Sequence, residues 1–430
     1  MAYVKFHEKN IAILATIEST SGTYSAPATT DAVAAISIDG GITRETSAVA
    51  FIGDSLFREE YTYIKDSYGD MSLTTPQQIL GSLSGSLAVN SAPLSEFYQA
   101  CGGFVTVLST AIGGYAAGTV IVDNNNVSNS TISIDLRKNS PDDATNDKLV
   151  KFIGVRGIMD LTANIGEIPS LKFNMKGNFV APATVTRVVP DFASQTSTLA
   201  AAIKQASIVV AQIAPLAGSF TATTGGTISL AGTAGQKLVT LSATTALSPA
   251  LTGSAVGDIR FITVSGASDS VYNGTFLATI VGTSTGAVFH YQTKAAITTA
   301  APTGTITLSV GPIAQTFSYA TCSAANFFGF DLTRYLTGSE EGFAKGATPT
   351  DVAITMLEDK AGTTNFDPES STNISAFFGV KVKFGTGAGK YVSYMWDKLQ
   401  LATIKDGKVA TYFGKDCTFR NTGKSYIIFE

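Results

Sequence analysis

The chain has 430 residues, with 29 Lys and Arg against 33 Asp and Glu, a net charge of -4, and only 14% charged residues beside 44% hydrophobic ones. A globular chain averages about 25% charged residues, so Ser, Thr, Asn, Gly and Ala must cover this surface, a composition closer to a structural protein than to an enzyme. The balance excludes a counterion-releasing grip on nucleic acid, and three cysteines without a C-x-x-C, with two histidines, leave little material for disulfides or metal sites.

In chain order, Ile11 to Ile17 reads as a first core strand; it resembles the apolar part of a signal peptide, but Glu8 and Glu18 flank it and no small-residue cleavage site follows. GSLSGSLAVN continues a strand pattern through Leu83, Leu87 and Val89, with Gly85 at a bulge or crowded position. SAPLSEFYQACGG breaks the period of two. Leu94, Phe97, Tyr98 and Cys101 fall at helical spacing, Ser91 can cap the start, Pro93 suits the first turn, and Gly102 and Gly103 stop it. This predicts a short amphipathic helix lying on a sheet.

Strict alternation returns in Ile132, Ile134 and Leu136, in Leu171, Phe173 and Met175, and in Val380, Val382 and Phe384, which predicts antiparallel strands with one wet face. A weaker Ala-rich helix is expected from Ser197 to Ala206. No apolar stretch approaches the ~20 residues of a membrane span, because Lys204 and Gln205 interrupt Leu199 to Ala217. The chain is therefore expected to be soluble. From Ile213 to Ala320 only Lys237, Asp258, Arg260, Asp269 and Lys294 carry charge, yet KLVTLSA, DIRFITVSG, GTFLATIVG, AVFHYQT and GTITLSV keep a strand rhythm. Residues 213–320 thus read as a small all-β domain inserted into a discontinuous host domain, 1–212 and 321–430.

Chemical motifs dissolve on inspection. FGTGAGKY lacks the spacing of a phosphate loop and lies between two strands, so it reads as a hairpin turn. GSLSG has Leu83 where a nucleophile elbow needs Ser. SPDDATND lacks the ladder of a calcium loop and reads as a solvated turn. Glu340 with Glu341, and Asp359 with Asp367, are the isolated carboxylates an enzyme reading would have to use. No catalytic, cofactor or metal residue is assigned, and the expectation is a protein that is not an enzyme.

The stretch from Thr43 to Gln78 is the richest in charge and aromatics. Read as a long functional loop, it offers Phe57, Arg58, Glu59, Tyr61 and Tyr63 as a protein interface; read plainly, it is a pair of edge strands with Tyr on the wet face.

Several strings in order resemble the major tail tube proteins of long-tailed, siphovirus-type bacteriophages. They are IAILATIESTSGTYSAPATTDAVAAISIDGGIT, GSLSGSLAVN, LSEFYQACGGF, LVKFIGVRGIMDLTANIGEIPSLKFNMKGNFVAP, and the C-terminal CSAANFFGFDL, VKVKFGTGAGKYVSYMW and SYIIFE. VGDIRFITVSGASDSVYNGTFLATIVGTSTGAVFHY looks like a β module of phage tail and fibre proteins. The resemblance implies a β-sandwich or barrel-like protomer with one flanking helix, on whose sheet Leu94, Phe97, Tyr98 and Cys101 pack. It implies hexameric rings stacked into a tube for DNA delivery, with the Thr43 to Gln78 loop contacting the adjacent ring and the insert projecting outward.

Implied partners are further copies of the chain, the tail terminator, tape measure and distal tail proteins, and DNA passing without specific binding. The implied location is the virion tail, assembled in the host cytoplasm, with no cofactor. The alternative is a tail fibre or adhesin whose insert binds a receptor. A lumen that conducts DNA should avoid Lys and Arg, so the lysines of LKFNMKGN and VKVKFG are expected to face outward or into interfaces, or else the lumen is less acidic than this idea requires.

Overall fold

The computed structural model describes residues 11–51, 59–80, 94–108, 115–124, 130–140, 142–192, 210–223, 228–232, 234–235, 237–243, 255–282, 287–337, 340–346, 350–357, 366–370, 376–385, 390–409 and 411–430. The strands before the insert are β1 (Ile11–Ile17), β2 (Ser37–Phe51), β3 (Glu59–Pro76), β4 (Phe104–Val107), β5 (Val120–Asp123), β6 (Ile132–Ser140), β7 (Asp143–Thr162) and β8 (Ser170–Thr186), with helix α1 (Ser95–Ala100) between β3 and β4. Then follow β9 (Val210–Pro215), β10 (Thr221–Thr223), β11 (Ile228–Gly232), β12 (Leu238–Ala243), β13 (Ile259–Ser265), β14 (Gly274–Gly282), β15 (Val288–Gln292), β16 (Thr307–Val310) and β17 (Gln315–Thr316). The C-terminal strands are β18 (Tyr319–Gly329), β19 (Asp331–Thr337), β20 (Glu340–Gly346), β21 (Thr350–Leu357), β22 (Phe377–Gly385), β23 (Tyr391–Val409), β24 (Tyr412–Asn421) and β25 (Ser425–Phe429).

The fold is mainly β, an antiparallel sandwich. One layer runs β4-β5-β25-β23-β22-β9-β17 and the other β23-β24-β21-β18-β7-β8-β3-β2; β23 belongs to both, and a bulge between Leu401 and Thr403 accompanies its passage from one to the other. Strands β1 and β6 extend the second layer from β7. The alternating apolar residues of both layers meet in one core, with Val122, Val380, Tyr394 and Trp396 from the first and Phe173, Met159 and Ile354 from the second. Phe327 sits edge-on to Tyr394 at 5.9 Å and to Trp396 at 5.4 Å. The Tyr394 hydroxyl donates to Gln77 Oε1 at 2.6 Å, tying the layers through a buried hydrogen bond.

Helix α1 differs from its expected place. It starts at Ser95, with Leu94 as N-cap at a φ of 58°, a left-handed entry; Ser91 and Pro93, expected at the start, lie outside the described residues. It does not flank a sheet but lies between the two layers. Tyr98 is 6.3 Å from Phe173 of one layer and 6.3 Å from Phe429 of the other, Phe97 is 5.1 Å from Phe173, and Leu94 and Cys101 are buried in the same core. A helix of two turns inserted here fills an end of the sandwich that sheet residues cannot reach.

The stretch from Thr43 to Gln78 is not a long loop. Strands β2 and β3 pair from Ser37↔Thr74 to Phe51↔Glu59, a long hairpin whose β2 is the edge of the second layer. FGTGAGKY joins β22 to β23, which pair antiparallel down to Gly385↔Tyr391, as a hairpin does. The Ser197 to Ala206 stretch and Gly85 lie outside the described residues. No helix among those residues is long and apolar enough to cross a membrane.

The small sheet, ordered β10-β16-β13-β14-β15-β12-β11, has its own core of Val239, Leu241, Ile262, Ile280, Phe289 and Tyr291. The low-charge block and this sheet do not share boundaries, because Ile213 lies in β9 and residues 315–320 lie in β17 and β18 of the large sheet. Gln315 pairs with Ile213, so the chain leaves and re-enters on adjacent strands, and the insertion closes with little loop entropy.

Glu96, on the first turn of α1, is pushed up to about 7 by burial. The folded state then binds this proton more tightly than the unfolded chain, so stability is greatest below about pH 4.5 and falls as pH rises towards 7. Thermal melts of Glu96→Gln should coincide with wild type at pH 4 and show a higher Tm at pH 8. Equal melting temperatures at pH 8 would contradict this account of Glu96.

Candidate assembly surface and the docked sheet

On the second layer the residues that alternate with the core form a wet face of Ser, Thr, Asn and charged side chains. Ser72 Oγ donates to Asn174 Oδ1 at 3.1 Å, Asn174 Nδ2 to Asp160 Oδ2 at 3.1 Å, and the Asn326 amide to Asp160 Oδ1 at 2.8 Å, a ladder from β3 through β8 and β7 to β18. Further along, Thr321 Oγ1 donates to Thr355 Oγ1 at 2.8 Å and Thr355 Oγ1 to Asp416 Oδ1 at 2.8 Å, carrying it through β21 to β24.

Four carboxylates on this face stand opposite a cation by register, whereas Arg156 stands opposite Lys176. Asp70 lies opposite Lys176, Asp160 opposite Lys172, Asp351 opposite Arg420 and Asp416 opposite Lys405. Each cross-strand pair of opposite sign contributes a few tenths of a kcal/mol up to about 1. The lysines of LKFNMKGN therefore stand on the wet face with carboxylates across from them.

Beyond Gly69 the hairpin outruns its neighbour. Strand β8 pairs with β3 only over Gly69–Pro76, so among the described residues Glu59–Tyr68 is bonded to β2 alone, an arm of roughly 30 Å at about 3.3 Å per residue. Of the interface residues expected from sequence, Glu59, Tyr61 and Tyr63 lie in this arm, opposite Phe51, Val49 and Ser47; Phe57 and Arg58 lie outside the described residues. A two-stranded ribbon is marginal alone in water, and edge strands invite pairing.

The first layer is covered on its outer side by the small sheet. Ile121, Ala214, Met395, Tyr426 and Ile428 of the large sheet meet Leu238, Ile259, Phe261 and Leu277 of the small one in a separate apolar cluster. Gly379 lies so close to Leu277 that a Cβ there would stand 2.5 Å from its methyl. A polar clamp borders the cluster. Gln212 Nε2 donates to Asp258 Oδ1 at 2.5 Å, Gln212 Oε1 accepts from the Ile259 amide at 3.1 Å, and Lys381 Nζ donates to the Gly257 carbonyl at 3.2 Å. Lys383 pairs with Glu430 at 2.5 Å. Burial holds Lys381 below the usual lysine range; burial would raise Glu430, but Lys381 and Lys383 together hold it below the usual carboxylate range.

These contacts place the lysines of VKVKFG towards the insert. The insert buries an apolar face of the large sheet that would otherwise be wet. The docking residues Gln212, Tyr115, His290 and Glu430 were not singled out from sequence, whereas Lys381 was, as one of the lysines of VKVKFG. The available signal was the unbroken apolar character of SYIIF and VIVD, all buried, where a strand with one wet face alternates.

Nucleophile chemistry finds little purchase among the described residues. All three cysteines are buried and unbonded, and burial pushes Cys322 and Cys417 up to about 12. No group of three or more metal-ligating side chains occurs among the described residues. In SPDDATND the Asp143 carboxylate closes its own turn, accepting from the Thr145 and Asn146 amides at 2.9 and 3.0 Å. Asp147, by contrast, is buried against Arg137 and Arg187 at 3.7 and 3.6 Å, a structural ion pair in place of the expected solvated carboxylate. Neither a known family model nor a curated protein matches the chain.

Excising residues 217–313 and joining β9 to β17 with a short Gly-Ser turn should give a protein that aggregates, because Ile121, Met395, Tyr426 and Ile428 become exposed. Adding Met395→Thr and Ile428→Thr to the excised chain should restore soluble yield. An excised chain as soluble as the parent would show that the covered face is dispensable.

Proposed function

We propose that this chain is a structural subunit that polymerises as stacked rings, the major tail tube protein of a long-tailed bacteriophage, with DNA passing through the lumen. The observation that carries the reading is the combination of a long polar-faced antiparallel layer with a free edge strand whose arm overhangs its neighbour. Such a layer can continue into the next protomer by edge pairing, and a repeated head-to-tail contact that closes forms a ring. The arm has the length to reach past its own protomer, which suits contact with an adjacent ring.

The two outer faces of the sandwich suit opposite environments. With the wet layer lining the lumen, the small sheet lies on the other side of the core, outside the tube, where its bulk obstructs nothing. The register-matched charges of the wet layer leave little net attraction for phosphate, so DNA would meet few unpaired cations. The order of sequence elements that resembles tail tube proteins supports the same reading. Other tail components at the tube ends, and assembly in the host cytoplasm before incorporation in the virion, belong to this proposal.

Negative-stain microscopy of the purified protein should show tubes or rings, hexameric if the resemblance extends to symmetry. Deleting residues 46–64 should leave the melting transition of the subunit within a few degrees of the parent and abolish tubes. Stable monomers at high concentration in the parent, or tubes of normal length in the deletion, would overturn the proposal.

A further inference from the structure

His290 is 2% exposed on β15, on the side of the small sheet that faces the large one, with Thr240 and Thr279 directly beside it on the neighbouring strands. Its ring lies 4.7 Å from that of Tyr115, and neither ring nitrogen has a hydrogen-bond partner among the described residues. Apolar side chains from the large sheet, Ile121, Met395 and Ile428, complete the surroundings, around a cavity of about 10 Å³. A neutral imidazole fits such a seam as an aromatic wedge; an imidazolium brings a charge into a cavity whose polar lining, Thr279, Gln292 and the tyrosines, is neutral and holds no carboxylate among the described residues.

We propose that His290 makes the docking of the small sheet acid-sensitive: protonation of its ring separates the two sheets locally, while each sheet keeps its own core. The two cores are distinct clusters, so the seam can open without dismantling either. The ionisable groups on the surrounding elements are Tyr115, Asp123 of β5, Lys381 and Lys383 of β22, Asp397 of β23, Lys424, Tyr426 and Glu430 at β25, and Lys237 and Asp258 on the small sheet. Glu430 is already engaged by Lys383 and Ser393, at 2.5 and 3.2 Å, and so is not free to receive the new proton's charge. Asp397, raised by burial, would act in the opposite sense and favour the folded state in acid.

Burial lowers the His290 ring from its ordinary 6.5 to about 4, with Glu430 opposing. Because the docked value lies below that of the free ring, docking is at full strength above pH 6.5 and weakens as pH falls towards 4. Each unit of that interval favours the open form by tenfold, so the opening equilibrium rises by roughly two orders of magnitude.

The test uses the full chain carrying Thr279→Cys, which places a thiol beside His290 that is reached only when the seam opens. Labelling by a dithiodipyridine reagent, which reacts with thiols in acid, is followed between pH 7 and 4 and normalised to a free thiol. Labelling of the introduced thiol should rise by about two orders of magnitude, while Cys101, Cys322 and Cys417 in the main core stay protected. His290→Leu in the same background should flatten the response. An equal acid response in the His290→Leu chain, no response in either chain, or simultaneous labelling of the three core thiols would overturn the proposal. If His290→Leu fails to fold, the ring is followed by NMR in ¹³C-histidine-labelled protein with His7→Gln, which leaves one histidine. A resonance titrating at 6.5 while the introduced thiol is still protected would equally overturn it.

Discussion

A strand has two faces, and in the part of the layer formed by β5, β25 and β23 both carry buried apolar side chains. Val122, Ile427 and Tyr394 point into the sandwich core while Ile121, Ile428 and Met395 point away from it. Such a layer cannot stand in water on its outer side, and most of the remaining architecture answers that demand. The small sheet lies over it with four large apolar side chains, the Gln212 and Lys381 clamp satisfies the polar groups at the seam, and Gly379 lets Leu277 approach the backbone. Burying a side chain of this size stabilises by about 1.5 to 3 kcal/mol, so even a handful of such contacts exceeds what a tethered module would lose in freedom on docking.

The second layer solves the opposite problem. Its outer face is wet, and its strands are long, so like charges stacked across many strands would accumulate repulsion. Register limits this, since each of four carboxylates faces a cation on the next strand and small hydroxyls and amides bridge the gaps, with Arg156 opposite Lys176 the like-charged exception among these pairs. A face that is internally satisfied interacts weakly with whatever slides along it. What it leaves unsatisfied is the edge, where among the described residues β2 has no outer neighbour and the arm beyond Tyr68 has no third strand. The sandwich thus separates two roles, one outer face closed by its own chain and one layer open for continuation at its rim.

Much of this was legible where periodicity was clean. Ile132 to Leu136, Leu171 to Met175 and Val380 to Phe384 are strands with the expected inward sets, and Leu94, Phe97, Tyr98 and Cys101 share one buried surface. The failures have physical causes. Helix spacing gives the apolar side of α1 but not how many sheets it touches, and a two-turn helix wedged between layers shows the same spacing as one lying on a sheet. In CSAANFFGF the adjacent Phe327 and Phe328 both reach the core, because a bulge with Asn326 at a φ of 54° breaks the alternation that sequence reading relies on. For the charged stretch from Thr43 to Gln78 composition left a long loop and a pair of edge strands equally open, because charge and aromatics suit both, and the β2–β3 pairing matches the second.

The insert shows how a boundary drawn from composition can be nearly placed and still misread. Low charge marked residues 213–320 as different, and the inference was a self-sufficient domain that the host merely carries. The same low charge has a second cause, since a module with two buried faces, one around Phe289 and one around His290 and Leu277, has little surface on which charge is tolerable. Lys237, Arg260 and His290, three of its few ionisable residues, are themselves buried. Insertion between β9 and β17 costs little because those strands pair, but once the module covers Ile121, Met395 and Ile428 the host sheet can no longer be read without it. Scarcity of charge here records docking as much as it records a domain.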